Sequence, residues 1–308
     1  EMLAKEGEES VNSLLTKKLV SFVKGLDPTR PVTAGCNEPN SGNHLFRSGV
    51  LDVIGYNYHN KDIPNVPANF PDKPFIITES NSALMTRGYY RMPSDRMFIW
   101  PERWDKPFVD STFACSSYEN CHVPWGNTHE ESLKLVRDND FISGQYVWTG
   151  FDYIGEPTPY GWPARSSYFG IVDLAGFPKD VYYLYQSEWT DKQVLHLFPH
   201  WNWTSGQEID MWCYYNQADE VELFVNGKSQ GVKCKDIDNL HVVWRVRFEP
   251  GMVKVVARKD GKVVAEKEIC TAGKPAEIRL TPDRSILTAD GKDLCFVTVE
   301  VLDEKGNL

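Results

Sequence analysis

The sequence has no long apolar run and no excess of positive charge, and each absence excludes a class of protein. Its apolar segments fall far short of the roughly 20 residues that a membrane-spanning helix requires, and residues 1–5 lack the layout of a signal peptide. The formal net charge of −10 disfavours nucleic acid and anionic membranes as partners, because both select for basic surfaces. We therefore expect no nucleic-acid partner and no membrane insertion. A neutral ligand fits this charge better.

Paired-cysteine motifs are missing as well. Seven cysteines are scattered without a CxxC pair, so neither a zinc ribbon nor a redox motif is predicted. His, Asp and Glu do not cluster with metal-ligand spacing, and we expect no metal and no cofactor. Most of the thiols are expected to be buried. A Cys115–Cys121 bridge would need an oxidising compartment. The location itself stays open, with a bacterial periplasm or secretion as one option.

Aromatic residues, by contrast, are abundant. The 308 residues include ten Trp and fourteen Tyr, whose flat faces stack on sugar rings as well as filling cores. The length and the 41% hydrophobic content fit an ordinary globular protein with two or three domains. The aromatic content therefore supports a neutral ligand such as a sugar, although most of these side chains are expected to fill cores.

The most informative stretch is residues 74–81, an apolar, β-branched run that stops at Glu79. Such a run, bounded by Pro and by Ser-Asn, predicts a strand buried on both faces of a parallel α/β sheet. Side chains at the carboxyl ends of barrel strands point into the catalytic crevice. The alternative is that Glu79 only begins a solvent-exposed loop.

Helices and strands alternate up to about residue 190. The pattern predicts an amphipathic helix over residues 10–26, strands over 31–37, 51–59, 74–81 and 142–148, and helices that open at Thr128 and Pro178. The long irregular segment over residues 86–127 is expected to be functional. Because a full barrel uses about 250 residues, we expect residues 1–190 to be the second half of a (β/α)8 TIM barrel, with the first half upstream.

Alternating β patterns follow from residue 191. Asn226-Gly227 and Asp260-Gly261 are strong hairpin signals between such runs. We expect an immunoglobulin-like β-sandwich over residues 191–273 and the start of a further β-sandwich over residues 274–308. The predicted fold class is thus α/β plus all-β.

Several motifs together resemble the catalytic half of a glycoside hydrolase of family two, in particular its β-galactosidases. They are Ile77-Thr78-Glu79 at a strand end, Gly55-Tyr56-Asn57-Tyr58-His59 before it, and Tyr146-Val147-Trp148 with Asp152 after it. The linker over residues 26–32, the stretch over residues 170–180 and the Val-Glu-Leu-Phe-Val-Asn-Gly hairpin strengthen the resemblance, which covers nearly the whole chain.

The resemblance implies a retaining, exo-acting hydrolysis of terminal β-glycosides by two carboxyl groups about 5–5.5 Å apart. Glu79 matches the nucleophile, and Tyr58 matches the tyrosine that hydrogen-bonds it. Trp148 matches an aromatic wall of the sugar subsite, and Asp152 matches a W-x-x-x-D spacing at which it either binds sugar or positions the loop. The acid/base is either Glu1 or the residue just before it, and the sequence does not decide between them.

Other strand-end groups are candidates for contacts with sugar hydroxyls. Asn37, Asn57 and His59 belong to this set, although loop-capping hydrogen bonds would explain Asn37 and His59 equally well. Many β-galactosidases of the family have a His where this chain has Ser82, three residues after the nucleophile. The Asn-x-Lys element of β-glucuronidases is absent between Phe169 and Lys179. Galactosides are therefore favoured over mannosides and glucuronides.

A second class of function fits part of the same evidence. Tandem sandwiches with exposed aromatics also occur in non-catalytic modules that bind glycans without cleaving them. The strand-end Glu79, Tyr58 and Trp148 favour the hydrolase, since an adhesive module has no need of a half-barrel. Assembly into a homo-oligomer is left open.

Overall fold

A computed structural model describes residues 10–106 and 108–308. The chain divides into two compact units, with the boundary between Tyr185 and Gln186. Each unit is described by itself.

The first unit contains three parallel strands, short irregular elements and several helices. Its helices are α1 (Val11–Leu26), α2 (His44–Arg47), α3 (Val66–Asn69), α4 (His129–Arg137) and α5 (Asp180–Trp189), the last of which crosses the boundary, with a 3-10 turn at Ile63–Asn65. Its strands are β1 (Ile54–Asn57), β2 (Phe75–Asn81), β3 (Phe98–Ile99), β4 (Cys121–His122) and β5 (Ile142–Trp148).

The sheet that carries Glu79 has the order β1-β2-β5, and both neighbours run parallel to the central β2. Tyr56, Phe75 and Ile77 are almost fully buried within one apolar cluster. A strand whose successive residues are apolar requires cover on both faces, which explains the uninterrupted run in the sequence. The prediction of parallel strands at residues 74–81 and 142–148 is confirmed.

Two strand predictions need correction. Residues 31–37 form no strand, although the carbonyl of Cys36 accepts a hydrogen bond from the Asn57 amide at 2.9 Å. The Val53 carbonyl accepts its hydrogen bond from the Thr33 hydroxyl, where a β-ladder would use a backbone amide. The strand predicted over residues 51–59 is limited to Ile54–Asn57, because the backbone turns left-handed at Tyr58 and His59, with φ of 55° and 57°.

Helix α1 begins as predicted, since the Ser10 side chain accepts a hydrogen bond from the Ser13 amide. It buries Ser13, Thr16 and Val20. Its larger apolar side chains are mostly exposed; we call them the α1 stripe: Val11, Leu14, Leu15, Leu19, Phe22, Val23 and Leu26. The amphipathic pattern is therefore present, but its apolar face has no cover within the residues that the structure describes.

Helix α4 is capped twice. The predicted capping box is present, with Thr128 bonding the Glu131 amide and the Glu131 carboxylate bonding the Thr128 amide. The buried Glu119 carboxylate also accepts hydrogen bonds from the amides of His129 and Glu130. Burial raises the pKa of Glu119 well above its usual value, and these amides act against that rise. The contacts tie the long irregular segment to the helix.

The second unit is built from antiparallel strands. They are β6 (Leu195–Phe198), β7 (Glu208–Tyr215), β8 (Glu220–Val225), β9 (Lys228–Lys233), β10 (Val242–Arg247), β11 (Met252–Lys259), β12 (Lys262–Cys270), β13 (Glu277–Pro282) and β14 (Val297–Leu302). They form sheets of order β10-β7-β6 and β12-β11-β8-β9, and a separate β13-β14 pair. The whole chain thus combines a small helical content with many strands.

Both predicted hairpins in this unit are confirmed. Asn226 and Gly227 join β8 to β9 with φ of 49° and 79°, and Asp260 and Gly261 join β11 to β12 with φ of 50° and 72°. Two successive positive φ values are what a tight two-residue turn of this kind requires. The β13-β14 pair is different, because Ile278, Leu280, Val299 and other large apolar side chains on it are exposed.

All seven cysteines are free thiols, so the bridge considered between Cys115 and Cys121 is absent. No helix in the described part of the chain combines the length and apolar character needed to cross a membrane.

Candidate active site

Glu79 and Tyr58 meet at the ends of two neighbouring strands. The Tyr58 hydroxyl donates a hydrogen bond to Glu79 Oε2 at 2.8 Å, and the Tyr58 amide donates to the Glu79 carbonyl at 2.6 Å. Burial raises the pKa of Tyr58 far above its usual value, and the hydrogen bond to Glu79 adds to the rise. Tyr58 therefore remains a protonated donor that holds one oxygen of the carboxylate.

The end of β2 is held in an unusual backbone conformation. Glu79 is not its last residue, because the strand continues to Asn81, which together with Ser82 has positive φ (76° and 56°). Such non-glycine residues cost about 1–3 kcal/mol each and persist only where the surroundings enforce them. The side-chain Nδ2 of Asn81 donates to the Ser80 hydroxyl at 3.0 Å and to the Tyr185 hydroxyl at 3.1 Å.

His129 contacts Tyr185, which in turn bonds Asn81 at the end of β2. Its Nδ1 lies 2.8 Å from the Tyr185 hydroxyl, and the side chain is fully buried. Burial lowers the pKa of His129 to about 3, so the ring is neutral. His129, which follows a helix cap in the sequence, thus supports the strand that carries Glu79.

Asn57 lies on β1 beside this strand. The Thr78 hydroxyl donates to Asn57 Oδ1 at 2.6 Å. Gly35 makes room for the side-chain amide of Asn57, since a Cβ at Gly35 would lie 2.8 Å from Asn57 Oδ1. His59 is half exposed, with Nδ1 3.6 Å from Asp62 Oδ2, and Asn37 is exposed.

Trp148 ends β5 and is paired with Asn81 of β2. Its ring meets that of Tyr153 edge to face, with centroids 5.9 Å apart. The Tyr153 hydroxyl donates in turn to Glu156. Burial is the main cause of the raised pKa of Tyr58, and the charges of Glu79 and Glu156 add to it.

Asp152 forms a buried ion pair. Its Oδ2 lies 2.8 Å from Lys179 Nζ, and its Oδ1 accepts hydrogen bonds from the Gly170 amide and the Ser167 hydroxyl. Lys179, 1% exposed, also donates to the carbonyls of Met85 at 2.7 Å and Tyr168 at 3.2 Å. Both Asp152 oxygens are bonded by protein groups, which fits a role in positioning the loop.

Burial raises the pKa of Asp152 and lowers the pKa of Lys179, and each charge offsets part of the effect on the other. Three acceptors around the ammonium group and several donors around the carboxylate keep the pair ionised. Lys179 thereby joins the segment after β2 to the loops after β5.

Sequence reasoning did not identify Lys179, Tyr153 or Glu156 as site residues. The sequence did contain a signal for Lys179, because this lysine lies in the stretch over residues 170–180 that strengthens the family resemblance. Nothing in the sequence pointed to Glu156. The proposed acid/base position, Glu1, lies outside the described residues.

Comparisons with known proteins cover both units. Residues 206–265 match a family model described as a domain of unknown function (DUF4982). The chain is 96% identical over 308 residues to β-galactosidase BoGH2A of Bacteroides ovatus, covering 100% of this chain and 36% of that protein. It is 33% identical over 330 residues to a putative β-glucuronidase of Formosa agariphila, covering 96% of this chain and 30% of that protein.

A solved structure agrees with these relatives. A glycosyl hydrolase family 2 member from Bacteroides cellulosilyticus superposes with a TM-score of 0.74 at 27% identity, over 98% of this chain and 38% of that one. The chain thus spans about a third of the length of the curated relatives that it matches.

Proposed function

We propose, from the premise that this chain belongs to glycoside hydrolase family two, that it is the C-terminal part of the catalytic domain of a retaining β-glycosidase, with the β-domains that follow. The observation that carries the proposal is the hydrogen bond of 2.8 Å from Tyr58 to the Glu79 carboxylate. The substrate we favour is a terminal β-galactoside of an oligo- or polysaccharide.

The domain layout follows the same premise. Residues 1–190 are the second half of a (β/α)8 barrel, residues 191–273 an immunoglobulin-like sandwich and residues 274–308 the start of another sandwich. The parallel β1-β2-β5 sheet supports the half-barrel. The α1 stripe supports it as well, because an exposed row of large apolar side chains calls for further protein packed against it.

In the proposed mechanism Glu79 attacks the anomeric carbon. The bond to the leaving oxygen breaks with its electron pair, and that oxygen takes a proton from the acid/base, which is Glu1 or the residue before it. Water then gives a proton to the same group and displaces Glu79 from the anomeric carbon, and the two successive inversions give net retention of configuration. Tyr58 binds Oε2, which leaves Oε1 for the attack, and it stabilises the carboxylate as that leaves in the second step.

The remaining site residues receive roles by position. Trp148 is the wall of the terminal sugar subsite, held by Tyr153. Asn57, His59 and Asn37 are the candidate contacts for sugar hydroxyls. Asp152 acts through Lys179 by positioning the loops after β5.

The choice of sugar rests on a sequence motif. The Asn-x-Lys element by which β-glucuronidases hold a carboxylate is absent from residues 169–179. Neutral sugars, with galactose first and mannose second, are therefore favoured over glucuronic acid.

The test uses the full-length protein with aryl β-galactoside, β-mannoside and β-glucuronide. We expect nitrophenol release to be fastest from the galactoside and to be abolished in Glu79→Gln, which keeps the size of the side chain but removes the nucleophile. A rate that survives in Glu79→Gln would refute the assignment. Binding of galactosides without any release would favour the non-catalytic carbohydrate-binding module instead.

A further inference from the structure

We propose that an aromatic cleft on the rim of the first unit is a second sugar subsite, which binds the leaving-group side of an oligosaccharide. The cleft has a volume of about 320 Å³. We call it the rim cleft. The residues that line it are Pro101, Trp104, Lys106, Phe108, Trp125, Thr158, Pro159, Tyr160 and Gly161. This inference rests on the proposed function and deepens it by assigning the size of the substrate.

One wall of the rim cleft is tied to the strand that carries Glu79. Trp125 lies in a segment whose Asn127 amide donates to the Asn81 carbonyl at 2.8 Å and whose Val123 amide donates to the Ser82 carbonyl at 3.3 Å. Gly126 packs directly on the same carbonyls, since a Cβ there would lie 2.4 Å from Asn81 O. Trp125 is therefore fixed close to the end of β2, just beyond Glu79.

Two aromatic residues that line the rim cleft share an apolar core with Trp148. Phe108 and Tyr160 contact each other with ring centroids 5.4 Å apart. Tyr160 belongs to the buried apolar cluster against which Phe108, Trp148 and Tyr153 pack. The Tyr160 hydroxyl donates to the Ala114 carbonyl at 2.7 Å, which fixes this ring. The cleft is thus anchored by the same core as Trp148, the wall of the proposed sugar subsite.

The lining has the chemistry that a sugar requires. Trp104 is 79% exposed and Trp125 is 38% exposed, so both present large aromatic surfaces to solvent. Lys106 and Thr158 supply donors beside them. Aromatic faces with a few polar groups bind the apolar faces and hydroxyls of a sugar ring, whereas an apolar protein partner would not need the polar groups.

The direction of the substrate follows from the proposed exo action. A terminal sugar held by Glu79, Tyr58 and Trp148 has no residue beyond it on the non-reducing side. Every further sugar of the substrate therefore lies on the side of the leaving group. The rim cleft is then the place where that part of the chain binds.

Single substitutions in the full-length protein separate this subsite from catalysis. Trp104→Ala and Trp125→Ala each lower kcat/KM about tenfold for β-linked galacto-oligosaccharides of two to four units. Neither changes kcat/KM for β-galactosyl fluoride, whose leaving group is a single atom and does not reach the cleft. Trp162→Ala is the matched control, because Trp162 is 77% exposed but is not part of the lining, and it leaves both substrates unchanged.

Calorimetry on Glu79→Gln protein gives a second readout that needs no turnover. The oligosaccharides bind more tightly than methyl β-galactoside, and Trp125→Ala removes the difference. Equal losses on the galactosyl fluoride and on the oligomeric substrates, or no advantage of the oligosaccharides in binding, would overturn the subsite. Failure of the wild type to cleave aryl glycoside would instead refute the proposed function, and the binding comparison would still decide on the cleft.

Discussion

The buried pair of Asp152 and Lys179 gives the sharpest test of how the site is built. Replacing Lys179 by Met keeps much of the side-chain volume but removes the cation. The Asp152 carboxylate, 9% exposed, would then be charged and without its 2.8 Å partner. Breaking a buried pair from one side costs about 3–5 kcal/mol, and we expect Lys179→Met to lower the free energy of unfolding of the first unit by that amount.

Urea denaturation of the full-length protein, followed by fluorescence, measures this loss. The double variant Asp152→Asn with Lys179→Met should lose less than Lys179→Met alone, because it no longer buries an unpaired charge. The matched control is Lys24→Met, which breaks a pair with Asp52 of similar length, 2.7 Å, but at side chains that are 39% and 35% exposed. We expect at most about 1 kcal/mol for it.

The loss of stability in Lys179→Met should depend on pH through the protonation of Asp152. Without the cation, burial raises the folded-state pKa of Asp152 above its unfolded value, so the penalty is present at neutral pH. It shrinks as the pH falls through the folded-state pKa, because protonation removes the buried charge. A Lys179→Met protein within about 1 kcal/mol of the wild type at neutral pH would refute the reasoning.

Three further predictions concern the supports of Glu79. Tyr58→Phe removes a hydrogen bond to a charged group, so kcat on aryl β-galactoside should fall roughly 10- to 100-fold, while Tyr146→Phe, at a side chain 65% exposed, should leave it unchanged. Gly126→Ala should lower both Tm and activity, since its Cβ would lie 2.4 Å from the Asn81 carbonyl; the control Gly25→Ala meets nothing within 4 Å and should be neutral or stabilising. Thr128→Ala should cost about 1 kcal/mol in denaturation by loss of the helix cap, and an unchanged midpoint would contradict the capping assignment.

Local chemistry made much of the fold predictable. The unbroken apolar run before Glu79, the Thr128 capping box and the two hairpin turns each act within a few residues, and each is present in the structure. The meeting of Glu79 with Tyr58 could be anticipated because parallel strand ends lie at one edge of a sheet, and the resemblance named the pair.

The rest depended on long-range contacts. The contact between Lys179 and Asp152 joins residues whose pairing no periodicity encodes, and Glu156 reaches the site only through Tyr153. Residues 31–37 accept backbone hydrogen bonds at Val32 and Cys36, but between these two residues the Thr33 hydroxyl bonds Val53 in place of a backbone ladder, so no strand forms. The sequence of α1 predicted an apolar face but not that this face would lack cover.

The α1 stripe has a practical consequence for anyone who expresses residues 1–308 by themselves. Phe22 is 66% exposed and Leu19 56% exposed on one helix face, and surfaces of this kind drive self-association in dilute buffer. Residues 1–308 produced by themselves should therefore self-associate through α1, and replacing Leu19 and Phe22 by polar residues should reduce that self-association.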